Sequence, residues 1–265
     1  MKAVTVATLK NMKKSGEKIA CLTAYDASFA ALLDAAGIDV VLVGDSLGMV
    51  IQGRDSTLPV TMDHMVYHAA AVSRSCQRAL RMVDMPFMSY ASIDHTLVNA
   101  ARLMQEGGAH MVKLEGTANQ SDVVRRLNDC GIPVCAHLGL RPQFVHKLGG
   151  YRVQGREMDS ASRLRDDAAK LEQAGADALL LECVPTALAS EITAHVGIPV
   201  IGIGAGAGCD GQVLVLYDML GITPGKRPRF SKDFLAGSSS LTAALSAYVG
   251  DVKAGRFPAV EHGFE

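Results

Sequence analysis

A chain of 265 residues, 49% of them hydrophobic, is long enough to bury a large core. Its net charge of −1, with Lys and Arg scattered along the chain, gives no electrostatic reason to expect nucleic acid or an anionic membrane as a partner. No apolar run approaches the roughly 18 residues that span a bilayer, and Met1–Lys18 lacks the apolar stretch of a leader; the expectation is a cytoplasmic protein that acts on small molecules.

The first predicted element is an amphipathic helix in TVATLKNMKKSG, Thr5 to Gly16. Strands and helices then alternate. A strand over Ile19–Ala24 leads to a helix over Phe29–Ala36, and a strand over Val40–Val43 to a helix over Met62–Cys76. Leu80–Val83 is followed by Thr96–Glu106, Met111–Leu114 by Ser121–Asp129, and Val134–His137 by Ser162–Ala174. Ala178–Leu181 precedes Thr186–Val196, Val200–Ile203 precedes an eighth strand at Val213–Leu216, and Ser239–Val249 closes the series. The helix-to-strand joins repeat a pattern, as in DAAGIDVVLVGD, QEGGAHMVKLEG and EQAGADALLLEC. A glycine ends each helix and an apolar strand follows, which is the pattern of a parallel sheet covered on both faces.

Eight strand–helix units in about 250 residues are the content of an α/β fold of the (β/α)8 TIM-barrel type. No linker divides residues 1–265, so one barrel is expected, with the N-terminal helix across its floor. Gly139–Asp159 is the one long irregular stretch expected, and a loop of that length in a compact domain is usually functional. Cys21, Cys76, Cys130, Cys135, Cys183 and Cys209 form no Cys-x-x-Cys pair, which argues against zinc and disulfides.

The stretch VVLVGDSLGM, Val40–Met49, carries an apolar strand straight into Asp45 and Ser46. Active sites of such barrels are built at the carboxyl ends of the strands. Those ends offer Asp26, Asp45 with Ser46, Asp84, Glu115, His137 and Glu182. Any one of these acids could simply cap a helix, but capping is a weak account of acids at successive strand ends. Asp45, Asp84 and Glu115 come from consecutive strands, and three hard oxygens without imidazole or thiolate favour Mg²⁺. Lys113, two residues before Glu115, shares its face of the strand and needs an anion. With the Ser46 hydroxyl it could hold a small carboxylic acid bearing a neighbouring carbonyl, while Glu182 faces that ligand as general base and His137 is the second choice. Two motifs carry less weight. GAGCDG at Gly206–Gly211 comes too late in the chain for a dinucleotide fingerprint and reads as a glycine turn lining a cofactor pocket; His64 and His68 have ligand spacing but no third ligand.

CLTAYDASFA, VVLVGDSLGMVIQGRDSTLPVTMDHMVYH, MPFMSY, MVKLEG, PVCAHLGLRPQ, GGYRVQGR, LLECVP and IPVIGIGAG occur in this order. Together they resemble the ketopantoate (3-methyl-2-oxobutanoate) hydroxymethyltransferase family of pantothenate and coenzyme A biosynthesis, from the first strand to about Gly225. The resemblance implies a barrel of the phosphoenolpyruvate/pyruvate superfamily, Mg²⁺-dependent and decameric. It also implies that 5,10-methylenetetrahydrofolate gives a hydroxymethyl group to 3-methyl-2-oxobutanoate through a Mg²⁺-stabilised enolate, forming 2-dehydropantoate. By the same resemblance Asp45, Asp84 and Glu115 surround the metal, Asp45, Ser46, Asp84 and Lys113 hold the oxo acid, and Glu182 accepts the proton. The last helix and its tail read as peripheral. The sequence leaves open a Mg²⁺-dependent oxo-acid lyase or mutase of the same superfamily, or a non-catalytic oxo-acid sensor.

Overall fold

The computed structural model describes residues 2–225 and 227–265. Eight parallel strands close into a barrel in sequence order, with the last paired to the first. The first half runs α1 (Val6–Ser15), β1 (Ile19–Thr23), α2 (Ala27–Ala36), β2 (Val40–Val43), α3 (Leu47–Val50), α4 (Met62–Ser73), β3 (Leu80–Asp84) and α5 (Ile93–Gln105). The second runs β4 (Met111–Glu115), α6 (Ser121–Asp129), β5 (Val134–Gly139), α7 (Val145–Leu148), α8 (Met158–Gln173), β6 (Ala178–Glu182) and α9 (Thr186–His195). Then come β7 (Val200–Ile203), β8 (Gly211–Leu214), α10 (Leu216–Met219) and α11 (Leu241–Lys253). Nearly every strand residue is buried, as the apolar runs require when side chains fill the barrel inside and helices cover it outside.

The floor is where α1 was expected. Leu9 and Met12 are buried beneath it, and its lysines reach the acids that precede strands. Lys10 pairs with Asp177 at 2.8 Å, just before β6, and Lys13 with Asp210 at 2.7 Å, just before β8. Thr5 caps the helix in a box with Thr8, and Gly16 ends it in the left-handed conformation.

Four departures from expectation have local causes. The eighth strand is Gly211–Leu214, two residues earlier than the apolar pattern suggested, because it starts with Gly211 and the polar Gln212. A Cβ on Gly211 would stand 2.6 Å from the Ile19 carbonyl across the closing pair, and Gln212 is satisfied inside by donating to the Gly206 carbonyl. Gly139–Asp159 is partly regular, holding the 3-10 turn Pro142–Phe144, all of α7 and the start of α8. A second long stretch lies between α10 and α11, where none was expected, with no regular helix or strand among its described residues. Finally, α11 runs to Lys253, four residues past its predicted end. All six cysteines are free and five are buried. Among the described residues no helix is long and apolar enough to cross a membrane.

Candidate active site

Strands β3, β4 and β6 run one residue further than the apolar pattern, so Asp84, Glu115 and Glu182 are themselves the last strand residues. Register then decides neighbours. Asp84 pairs with Lys113, Glu115 with His137, and Gly139 with Glu182. Gly139 has φ +89° and no room for a side chain against the Glu182 carbonyl, so the approach of β5 to β6 requires glycine. Beyond Glu182 the chain turns through Cys183 at φ +48°, a left-handed residue that is not glycine, a strain characteristic of functional sites.

These strand ends open into a cavity of about 1030 Å³ whose walls include Asp45, Ser46, Asp84, Lys113, Glu115, His137 and Glu182. Asp45 is 4% exposed, Asp84 3% and Glu115 1%, whereas the Glu182 side chain is 15% exposed. Lys113 Nζ donates to Asp84 Oδ1 at 2.5 Å, and the Asp45 N–H donates to Asp84 Oδ2 at 3.0 Å. Both oxygens of Asp84 are thereby oriented. Ser46 Oγ lies 2.8 Å from the Tyr25 hydroxyl. Burial alone would discharge Lys113, but the Asp84, Glu115 and Asp45 carboxylates outweigh it and push its pKa up.

The acids feel the opposite. Burial, with Asp84 beside it, raises Asp45 to about 7 against the pull of Lys113. Burial also drives Glu182 up to about 8, and it lifts Glu115 well above the usual carboxylate range with help from Asp45. His137 is pushed well below its usual pKa by burial and by Lys113, so it is neutral. Its ring nitrogens lie 3.7 Å from Glu115 and 3.4 Å from Glu182, and neither makes a hydrogen bond. A buried, unpartnered imidazole beside a cavity is ready for a ligand.

The structure separates capping acids from site acids. Asp26 accepts from the Phe29 N–H at 2.9 Å and caps α2, so its place in the expected ring belongs to structure. Asp45, Asp84, Glu115 and Glu182 cap no helix. His64 closes a capping box with Thr61, and His68 Nδ1 lies 2.7 Å from the Tyr25 carbonyl; both are structural. The GAGCDG turn is not part of the cavity wall, contrary to expectation. Gly206 and Gly208 have no room for a Cβ against Thr186 and Ser190, so these glycines let the turn pack on α9. Conversely, Phe264 in the tail that read as peripheral lines the cavity mouth.

Among the described residues, no three His, Cys, Asp or Glu side chains stand close enough together to enclose a metal. Mg²⁺ does not need such a cage, since it usually takes one or two carboxylates and completes its shell with water and substrate oxygens. Four buried or half-buried carboxylates face one buried lysine, and burial raises Asp45, Glu115 and Glu182 with neighbouring carboxylates adding to it, a combination that a bound cation would relieve. The donor set therefore fits a hard dication.

A closed (β/α)8 barrel with an acid-lined pocket at its strand ends defines an enzyme-type site. Among solved structures, the phosphoenolpyruvate phosphomutase of Streptomyces platensis subsp. rosaceus shares this fold at TM-score 0.63, covering 82% of this chain and 83% of that one at 14% identity. A 2,3-dimethylmalate lyase, a PEP mutase/isocitrate lyase superfamily member, does so at 0.60, covering 83% and 81% at 16% identity. A sequence model of ketopantoate hydroxymethyltransferase matches residues 3–260. The 3-methyl-2-oxobutanoate hydroxymethyltransferase of Nitrosococcus oceani is 62% identical over 261 residues, 98% of this chain and 99% of that protein. That of Alkalilimnicola ehrlichii is 60% identical over 261 residues, 98% and 94% of the two chains. This chain belongs to the ketopantoate hydroxymethyltransferase family and is a transferase.

Proposed function

We propose that this enzyme transfers a hydroxymethyl group from 5,10-methylenetetrahydrofolate to 3-methyl-2-oxobutanoate, giving 2-dehydropantoate, with Mg²⁺ taken up among Asp45, Asp84 and Glu115, one or two of them binding it directly and water and substrate oxygens completing its shell. The observation that carries this reading is the ring of Asp45, Asp84, Glu115 and Glu182 around Lys113. When bound, Mg²⁺ supplies Lewis acidity at the oxo oxygen of the acid. Lys113 and Ser46, with Asp45 and Asp84, orient the acid and its carboxylate. Glu182, poised at about 8 by burial, accepts the C3 proton, and His137 offers a neutral N–H or lone pair next to it. The resulting carbon nucleophile takes the donor's methylene group, with one water completing the hydroxymethyl group and tetrahydrofolate leaving. A cavity of about 1030 Å³ has room for a second substrate beyond a five-carbon acid.

The same reading includes a cytoplasmic homo-oligomer, a decamer. Six free thiols suit a reducing compartment, and exposed Tyr67, Met88 and Val98 on and around α4 and α5 form apolar surface for a partner subunit. Light scattering should report a decamer; a monomer at micromolar concentration contradicts this part. The activity itself is tested with 3-methyl-2-oxobutanoate, Mg²⁺ and methylenetetrahydrofolate. Folate-dependent 2-dehydropantoate is expected, and cleavage or rearrangement of the acid without folate overturns the reading.

A further inference from the structure

Gln143 has no part in the chemistry above, yet it is 4% exposed in the 3-10 turn after β5, just behind Pro142 of the cavity wall. Its Nε2 donates to Asp45 Oδ2 at 2.8 Å and to the Met85 carbonyl at 3.0 Å. Its Oε1 accepts from the buried Tyr90 hydroxyl at 2.5 Å, and its backbone N–H donates to Glu115 Oε2 at 3.0 Å. One residue thus fastens two of the four acids, Asp45 by its side chain and Glu115 by its main chain. The Met85 carbonyl can only accept, so the NH₂ end must face it and Asp45, while the oxygen end turns to Tyr90. Tyr90 itself stands between β3 and α5, outside the cavity wall, and its hydroxyl is spent on Gln143.

An amide suits this place because a lysine or arginine there would neutralise Asp45 and compete with a cation. We propose that Gln143 is a positioning residue of the metal site: it holds Asp45 by one oxygen, leaving the other for the cation, and Tyr90 sets the angle of the amide. The proposal rests on the metal-dependent reading given above. A loop anchor with no such role would influence melting temperature but not the metal affinity of the folded protein.

The test uses Mn²⁺ as a spectroscopic probe, its free ion counted by electron paramagnetic resonance in the presence of the full chain. Gln143→Met keeps length, packing and the backbone bond to Glu115 while removing the amide donors, and Tyr90→Phe removes only the hydroxyl. We expect Mn²⁺ to dissociate about tenfold more readily from Q143M, the scale of one charge-assisted hydrogen bond, and about threefold more readily from Y90F. Turnover of Q143M should recover at high Mn²⁺, since the defect is in affinity. Equal Mn²⁺ affinity in wild type and folded Q143M overturns the proposal alone. Absence of Mn²⁺ binding in the wild type overturns it together with the metal reading. If Q143M does not fold, Y90F decides, and wild-type affinity there overturns the proposal.

Discussion

The two ends of the barrel treat carboxylates in opposite ways. At the floor three acids each have a cation and a backbone donor: Asp39 meets Lys253 at 2.7 Å and the Ala20 N–H at 2.9 Å. Asp177 meets Lys10 and the Val134 N–H, and Asp210 meets Lys13 and the Val200 N–H. At the mouth, Asp45, Asp84, Glu115 and Glu182 share Lys113. The same residue types are individually paired at one end of the barrel and share a single cation at the other. Saturated charges stabilise a fold, whereas unsaturated ones make it wait for a ligand.

The largest effect should come from the mouth. Glu182→Gln keeps shape and hydrogen-bonding reach but removes the proton acceptor. In heavy water with Mg²⁺ and no folate, the wild type should exchange the C3 proton of 3-methyl-2-oxobutanoate for deuterium. The variant should exchange it at least ~10²-fold more slowly while still binding the acid. Wild-type exchange by a variant that forms no product would move the base role to His137. Next in size is Asp84→Asn, which should weaken Mg²⁺ and the oxo acid together, each by roughly tenfold or more, because one carboxylate serves both. Calorimetric titration that finds the metal lost and the acid unchanged would separate the two sites.

Asp84 and Glu182 were legible in the sequence because each ends an apolar run, and position along a barrel strand is enough to place it at the mouth. Asp26 also followed an apolar run, and only the 2.9 Å bond to Phe29 shows it to be a cap. Sequence position cannot tell a carboxylate facing an N–H from one facing a cavity. Gln143 was illegible for another reason, since its partners Asp45, Met85 and Tyr90 lie far from it in sequence and a loop has no periodicity. The eighth strand slipped by two residues because a glycine chosen for close approach and a satisfied buried glutamine both break the apolar pattern.

A third test uses pH. The Glu182 pKa is raised on folding from an ordinary 4.5 to about 8, chiefly by burial, with Lys113 pulling against it and Asp45 and Asp84 adding to it. A raised pKa means that the group's contribution to stability is full below the unfolded value and is lost as pH rises through the folded one. The metal-free protein should therefore lose melting temperature as pH rises from about 5 to about 8 and level off above that, by about 5 °C or more relative to Glu182→Gln. Mg²⁺ should flatten that slope, because a cation at the mouth favours the ionised acids. Identical slopes for the two proteins without metal would show that folding does not raise the Glu182 pKa.

The floor supplies the smallest and most selective test. Lys13 is 14% exposed at its side chain and donates to Asp210 at 2.7 Å and to the Thr193 carbonyl at 2.8 Å. Lys13→Met keeps the apolar stem on the barrel but leaves Asp210 with the Val200 N–H as its remaining floor contact. The loss should be about 1 kcal/mol, since a mostly buried pair with two hydrogen bonds lies between a surface ion pair and a fully buried one. For a chain of this size that is roughly 3 °C in melting temperature. Mg²⁺ affinity and turnover per folded molecule should not change, because the substitution lies at the opposite end of the strands from Asp45, Lys113 and Glu182. A floor variant that alters metal affinity would mean that the two ends are coupled through the strands, and the contrast between a saturated floor and a waiting mouth would then be one of degree.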